Sequence, residues 1–367
     1  MLRKVVAIVA LFAATASVNA LAGDPPMRMT FVPPDAMVSK LGGPAFWKIY
    51  LDGVIDSNTA SRFEVQVKRR GADGALVFLN SPGGELLGGI ALGESIRKLG
   101  MSTFVAATPN KPDATSEEQP GICASACVFA FLGGNYRWLS KGSLIGVHRF
   151  ARADPATVAP GDMDRAQVAS AAIVAFLHEM DVDTALLSRM ATTPPSQVSW
   201  LSKTEVEQWN VVNNGRLRPK WTIETTTGTP AVLYLKGEQR SWVGLGKALF
   251  GCSKKGIVFF PFYDAGNNAE HIAQAAARYS LVLEERFIPL AADGISLRAE
   301  KGYVSAPFLL PDALASTMSR AHAVGFAAQP PGDGVFYWGF NVDVGTPADA
   351  SKIDGFVQNC LAQEQRR

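Results

Sequence analysis

Histidine and cysteine are scarce in this 367-residue chain, four of each, and no run of basic residues is longer than three. Each scarcity excludes something. No His/Cys cluster has the spacing of metal ligands, which argues against a zinc centre, and nothing calls for a resident cofactor. Without a basic stripe the chain lacks the electrostatic footprint that nucleic acid or an anionic membrane requires. Beyond the first twenty residues no stretch is both long and apolar enough to cross a bilayer.

What is present reads as an exported, well-packed protein. Met1-Leu2-Arg3-Lys4 precedes an apolar core (Val5 to Ala14) and then Ser17-Val18-Asn19-Ala20. That is the pattern of a secretory signal peptide over residues 1–20, cut after Ala20 or alternatively after Ala22. Its removal takes Arg3 and Lys4 from the 35 basic residues and leaves them level with the 33 acidic ones. The expected location is periplasmic or secreted, with no membrane span after cleavage. A hydrophobic share of 47% suffices for packed cores, and the length suggests two domains. An even cysteine count in an exported chain argues for disulfides. Of the three pairings, Cys123–Cys127 with Cys252–Cys360 keeps each bridge inside one proposed domain.

Residues 21–45, rich in Pro and small side chains, read as an extended lead-in. Phe46 to Leu51 is β-prone, and Ile55 to Arg70 reads as helix on context. Ala75-Leu76-Val77-Phe78-Leu79 is a fully apolar run, as expected of a parallel strand covered on both faces. Asn80-Ser81-Pro82-Gly83-Gly84 follows, then a helical pattern to Gly100 and a strand over 101–107. Strand, glycine turn, helix and strand make a βαβ unit with a right-handed crossover. The segment Pro109–Pro120 reads as a solvated loop, either a lid that selects substrate or a tolerated insertion. It leads to Gly121-Ile122-Cys123-Ala124-Ser125-Ala126-Cys127, where one hydroxyl sits among small residues ahead of an apolar helix. Strands are expected over 136–139 and 143–147, helices over 162–180 and 183–190. Ser202 with Glu205 makes a capping box for a further helix. From Arg216 the pattern turns to strands separated by Gly/Pro/Asp turns, with helices over 268–279 and 312–322. A β-rich, α+β second domain is expected over 219–367.

Leu79 to Gly84, then Ala124-Ser125-Ala126, then Gly146-Val147-His148, in that order, resemble the Clp protease proteolytic subunit of the crotonase-like superfamily. Trp200-Leu201-Ser202 with Glu205 and Val211-Val212 resembles the segment that closes this domain in Clp-type peptidases. The resemblance covers about residues 46–213 of a proposed domain 46–218 and implies an α/β fold of ββα units wound into a superhelix. It also implies a serine peptidase acting on peptide or protein amides, and relatives that form homo-oligomeric rings. Ser125 matches the nucleophile and His148 the base, because a serine hydroxyl is inert until a neutral imidazole takes its proton. The oxyanion donors correspond to Gly84, with Gly83 shaping the turn, and to the Ala126 N–H.

The third member departs from the pattern. Where Clp-type peptidases carry an aspartate to orient the histidine, residues 191–199 hold no carboxylate. Asp183 from a shifted loop, a hydroxyl of Thr192 or Thr193, or no third member at all are the alternatives. Lys141 matches the lysine base of the signal-peptide peptidase branch only loosely, since Ser140-Lys141-Gly142 reads as a tight turn. Either Cys123 or Cys127 could be the nucleophile instead of Ser125, though an exposed thiol outside the cell tends to oxidise. The competing function is a catalytically inactive scaffold that binds an envelope partner. Acyl-CoA chemistry on the same superfamily fold fits an exported location poorly.

Overall fold

The computed structural model describes residues 26–40, 45–150, 162–229, 231–291, 295–332 and 336–365. Residues 1–20, which read as a signal peptide, the start of the expected lead-in and the expected polar connection 151–161 lie outside them. The chain divides into two units, 1–214 and 215–367, and is mixed α/β with a β-rich C-terminal part. No described helix is long and apolar enough to cross a membrane.

Unit 1 contains β1 (Arg28–Val32), α1 (Ala36–Lys40), β2 (Lys48–Asp52), α2 (Thr59–Arg70), β3 (Leu76–Asn80), α3 (Leu86–Lys98) and β4 (Ser102–Val105). It continues through β5 (Ile122–Ala124), α4 (Ala126–Leu132), β6 (Arg137–Leu139), β7 (Leu144–Val147), α5 (Asp162–Glu179), α6 (Ala185–Thr192), β8 (Ser199–Trp200) and α7 (Lys203–Gln208). The larger sheet has the order β1-β2-β3-β4-β6, parallel except for β1. A smaller sheet, β5-β7-β8, pairs β5 and β7 in parallel. The stretch read as an extended lead-in therefore supplies an edge strand, with Phe31 opposite Ile49. The helix expected from Ile55 starts only at Thr59, because Ile55 bridges to Gly84. It ends at Gly71, whose left-handed φ of +61° lets its N–H reach back to Lys68 and Val67 carbonyls.

The two faces of the larger sheet are covered differently. Ile49, Leu51, Val77 and Leu79 point into the main core with Phe63 and Val67 of α2 and Leu92 and Ile96 of α3. Helices α3 and α4 approach closely: a β-carbon on Gly89 would lie 2.2 Å from the Ala126 carbonyl oxygen. On the other face Tyr50, Phe78, Phe104 and Trp138 stack in one row, with ring centroids 4.7, 4.8 and 4.7 Å apart. That spacing is inherited from the strands, which repeat at about 4.8 Å. The loop Pro109–Pro120, which reads as either a lid or a tolerated insertion, makes its contacts on this side. Lys48 Nζ donates to the Ser116 carbonyl (3.4 Å), the Ser140 hydroxyl donates to the Glu118 carboxylate, and Ala107 bridges to Gln119. Burial, then the charges of Glu118 and Asp113, push the Tyr50 hydroxyl up to about 12.

One buried cation ties the helix ends together. Arg137, 1% exposed, donates from Nε to the Val211 carbonyl (2.9 Å) and from Nη2 to that of Asn210 (2.7 Å). Its Nη1 donates to the Gly134 (3.1 Å) and Met180 (3.4 Å) carbonyls. These carbonyls belong to the chain leaving α7, α4 and α5, where helices run out of internal donors.

Unit 2 contains β9 (Lys220–Thr225), β10 (Leu233–Ser241), β11 (Gly244–Ser253), β12 (Gly256–Asp264), α8 (Ala269–Ala275), β13 (Arg278–Leu283) and β14 (Arg286–Pro289). It ends with β15 (Arg298–Glu300), β16 (Tyr303–Ser305), β17 (Phe308–Leu310), α9 (Asp312–Met318), β18 (Ala323–Gln329), β19 (Trp338–Asp343) and α10 (Pro347–Gln365). Its strands form a seven-stranded and a four-stranded antiparallel sheet around Phe250, Phe259, Phe308 and Phe326. Thr222 to Leu235, which reads from its residues as one strand, instead spans β9 and the start of β10, paired antiparallel as a hairpin. The helix expected over 268–279 stops at Ala275, and Tyr279 lies in β13.

Candidate active site

Three parallel segments bring their carboxyl ends to one place. β3 continues past Asn80 into Ser81, whose N–H donates to the Ile122 carbonyl (2.8 Å) and whose carbonyl accepts from Ala124 N–H (3.0 Å). On its other side β5 runs parallel to β7, with Ala124 opposite Gly146. The carboxyl ends of parallel strands are where open α/β sheets bind ligands.

Ser125 leaves β5 at a sharp turn into α4. Its φ is +56° and its ψ −123°, a region costing on the order of 1–3 kcal/mol for a residue with a side chain. Its N–H donates to the Gly146 carbonyl (3.0 Å), extending the β5–β7 ladder by one rung. Although Ser125 occupies the N-cap position of α4, its hydroxyl makes no capping bond. The half-buried hydroxyl is thus held by backbone strain and left available, the local form of a nucleophile elbow.

The glycine turn lies against this elbow. Gly83 and Gly84 have φ of +110° and +140°, accessible at low cost only to glycine. Ile55 N–H donates to the Gly83 carbonyl (2.8 Å) and Glu85 N–H to the Ile55 carbonyl (2.9 Å), clamping the turn to the chain beyond β2. A β-carbon on Gly83 would lie 2.7 Å from the Ala124 carbonyl oxygen and 3.1 Å from the Ala126 nitrogen. Gly83 N–H is taken by the Ser81 hydroxyl (3.1 Å). The N–H groups of Gly84 and Ala126 donate to no protein acceptor among the described residues. Ala126 follows Ser125 directly, and Gly84 follows the Gly83 that packs against Ser125.

His148 follows β7 directly, two residues past Gly146 on the strand beside Ser125. Its Nδ1 lies 2.9 Å from the Arg149 carbonyl oxygen. A carbonyl can only accept, so in the neutral ring Nδ1 carries the proton and Nε2 keeps its lone pair. That is the tautomer a general base needs. Arg149 is itself pinned, its N–H donating to the Thr193 carbonyl (2.9 Å). The residues weighed as orienters are engaged elsewhere. Asp183 accepts the Ala185 N–H (2.8 Å) at the start of α6. Thr192 and Thr193 donate their hydroxyls to carbonyls of the last turn of α6. Lys141 is exposed in a turn. The backbone carbonyl of Arg149 holds the ring, and nothing in a sequence marks such a group.

Both cysteine pairings are as read from the sequence. Cys123 and Cys127 are bonded with Cα atoms 5.2 Å apart, bracketing Ser125, and Cys252 is bonded to Cys360 with Cα atoms 5.4 Å apart. Neither Cys123 nor Cys127 is a free thiol, which excludes them as nucleophiles in this state.

No family model and no curated protein matches the chain. Among solved structures it is similar to a mutant of the 1510-N membrane-bound stomatin-specific protease, at 17% identity and a TM-score of 0.32. That match covers 45% of this chain and 75% of the other. A superposition this loose carries no functional weight.

Proposed function

We propose that this chain is an exported serine hydrolase that cleaves peptide or protein amides through an acyl-enzyme on Ser125. One observation carries the reading: a serine held at positive φ, with its hydroxyl off the cap, packed against a glycine turn, with the Ala126 and Gly84 N–H groups lacking an acceptor among the described residues. In this mechanism His148 Nε2 takes the Ser125 proton as Oγ attacks the scissile carbonyl. The carbonyl oxygen becomes an oxyanion that Gly84 and Ala126 stabilise, each donor lowering the barrier by about 3–4 kcal/mol. The imidazolium then protonates the leaving amine, and water repeats the sequence to free the enzyme. The Arg149 carbonyl sets the tautomer but carries no full negative charge, so it stabilises the imidazolium less than a carboxylate would. A slow hydrolase is therefore expected.

The order of the three motifs supports a crotonase-like ββα superhelix for residues 46–218, and two disulfides fit an oxidising compartment. A fluorophosphonate probe tests the reading. Labelling at Ser125, abolished by Ser125→Ala and slowed by His148→Ala, is the expected result. A folded protein that takes no label would favour the inactive scaffold.

A further inference from the structure

The strand that ends in the glycine turn divides its backbone bonds between two neighbours. Parallel pairing of Ser81 with β5 calls for the Ile122 N–H to donate to the Leu79 carbonyl, one rung earlier. That carbonyl is already taken, because Ala106 N–H donates to it (3.1 Å) as β4 runs off the larger sheet. The missing rung is filled by a side chain. Asn80 Oδ1 accepts the Ile122 N–H (3.0 Å), while Asn80 Nδ2 donates to Asp52 Oδ1 (3.0 Å). The other carboxylate oxygen of Asp52 accepts the Thr108 hydroxyl. The amide can be placed only one way round, since an N–H must meet an oxygen and a carboxylate must meet an NH₂.

We propose that Asn80, held by Asp52, is a positioning residue that sets the spacing between the glycine turn and the Ser125 elbow. Asn80 is three residues before Gly83, and Ile122 is three residues before Ser125. The bracket therefore sits at the fork where the two halves of the site separate. Loss of the bracket lets Ile122–Ser125 drift relative to Gly83 and Gly84. Misplacement by about 1 Å costs on the order of 100-fold in rate. The catalytic consequence rests on the hydrolase reading, whereas the structural bracket does not.

The experiment combines labelling kinetics with amide exchange in the full-length oxidised protein. Asn80→Ala should slow fluorophosphonate labelling of Ser125 by about 10- to 100-fold and speed exchange at Ile122 and Ala124. Asn80→Asp keeps the acceptor for Ile122 but sets two carboxylates face to face. It should label slowly near pH 8 and partly recover as the pH falls and the pair shares a proton. Combining Asn80→Asp with Asp52→Asn reverses donor and acceptor and should restore both labelling and exchange protection. This pair of variants conserves volume and decides the matter if Asn80→Ala does not fold. Wild-type labelling rates in Asn80→Ala, or an exchange pair no better than Asn80→Asp alone, would overturn the proposal. If wild-type protein takes no label, the hydrolase reading fails, and unchanged exchange at Ile122 and Ala124 in Asn80→Ala would separately overturn the bracket.

Discussion

Gly83 packs against Ser125 so closely that a β-carbon added to the glycine would stand 2.7 Å from the serine Cβ. The backbone on both sides is fixed by strand bonds, so neither partner can give way cheaply. Gly83→Ala is expected to lower Ser125 labelling by at least about 100-fold, the scale of losing one oxyanion donor. Gly74, also at positive φ (+70°) but with open space around it, separates crowding from backbone strain. Gly74→Ala should lower the melting temperature modestly and leave the labelling rate alone. Equal labelling losses in the two variants would refute the crowding account.

The two disulfides should dissociate stability from activity. Chain-entropy scaling assigns about 4–5 kcal/mol to Cys252–Cys360, which spans 108 residues, and about 2 kcal/mol to Cys123–Cys127, which spans four. Cys252→Ala with Cys360→Ala is expected to lower the melting temperature without changing the labelling rate at Ser125. Cys123→Ala with Cys127→Ala should slow labelling several-fold with the smaller thermal effect. A calorimetric scan and a labelling time course on both variants check this, and identical profiles would contradict it.

Tyr50 makes alkaline stability measurable at a single position. Its hydroxyl is buried and has no partner among the described residues, and its ionisation is pushed up to about 12, first by burial. The unfolded tyrosine loses its proton near 10 while the folded one keeps it. This residue's contribution is therefore complete below pH 10 and drains away as the pH climbs to 12. Tyr50→Phe removes an unsatisfied hydroxyl and should stabilise the protein by about 1 kcal/mol at pH 8. The advantage over wild type should widen at pH 11 in chemical denaturation; a variant less stable at both values would defeat the prediction.

Arg137→Lys keeps the charge but reduces five donors to three in the wrong geometry. Several carbonyls at the ends of α4, α5 and α7 then lose their partner. A loss of about 3 kcal/mol is expected, or roughly 6–12 °C in melting temperature for a unit of this size. A shift below 2 °C on thermal denaturation would show that water or neighbouring donors replace the guanidinium.

Much of unit 1 was legible because its signals are local. The apolar run at 76–79, the glycine turn and the amphipathic stretch from Leu86 predict β3 and α3 to within a residue or two. The capping box at Ser202 and Glu205 is present with both of its bonds. Cysteine pairing also followed, once each bridge was confined to one domain. The failures share a different cause. Arg278 and Tyr279 read as the tail of the helix expected over 268–279, but they open β13, which pairs with β18, whose residues lie some 45 positions on. The group beside His148 Nδ1 is the Arg149 main-chain oxygen, which no side-chain pattern could mark. Asn80 stood in plain view within its motif, yet its task depends on Ala106 having taken the Leu79 carbonyl. Local pattern reveals elements; competition for a hydrogen bond shows only in three dimensions.

Each half of the chain closes its own bridge, Cys123–Cys127 in one and Cys252–Cys360 in the other, and no bridge joins the halves. A single proteolytic nick between Asn214 and Gly215 would thus release two separate polypeptides on a denaturing gel run without reductant. The same property makes either half portable. It could be grafted, swapped or expressed by itself without orphaning a thiol.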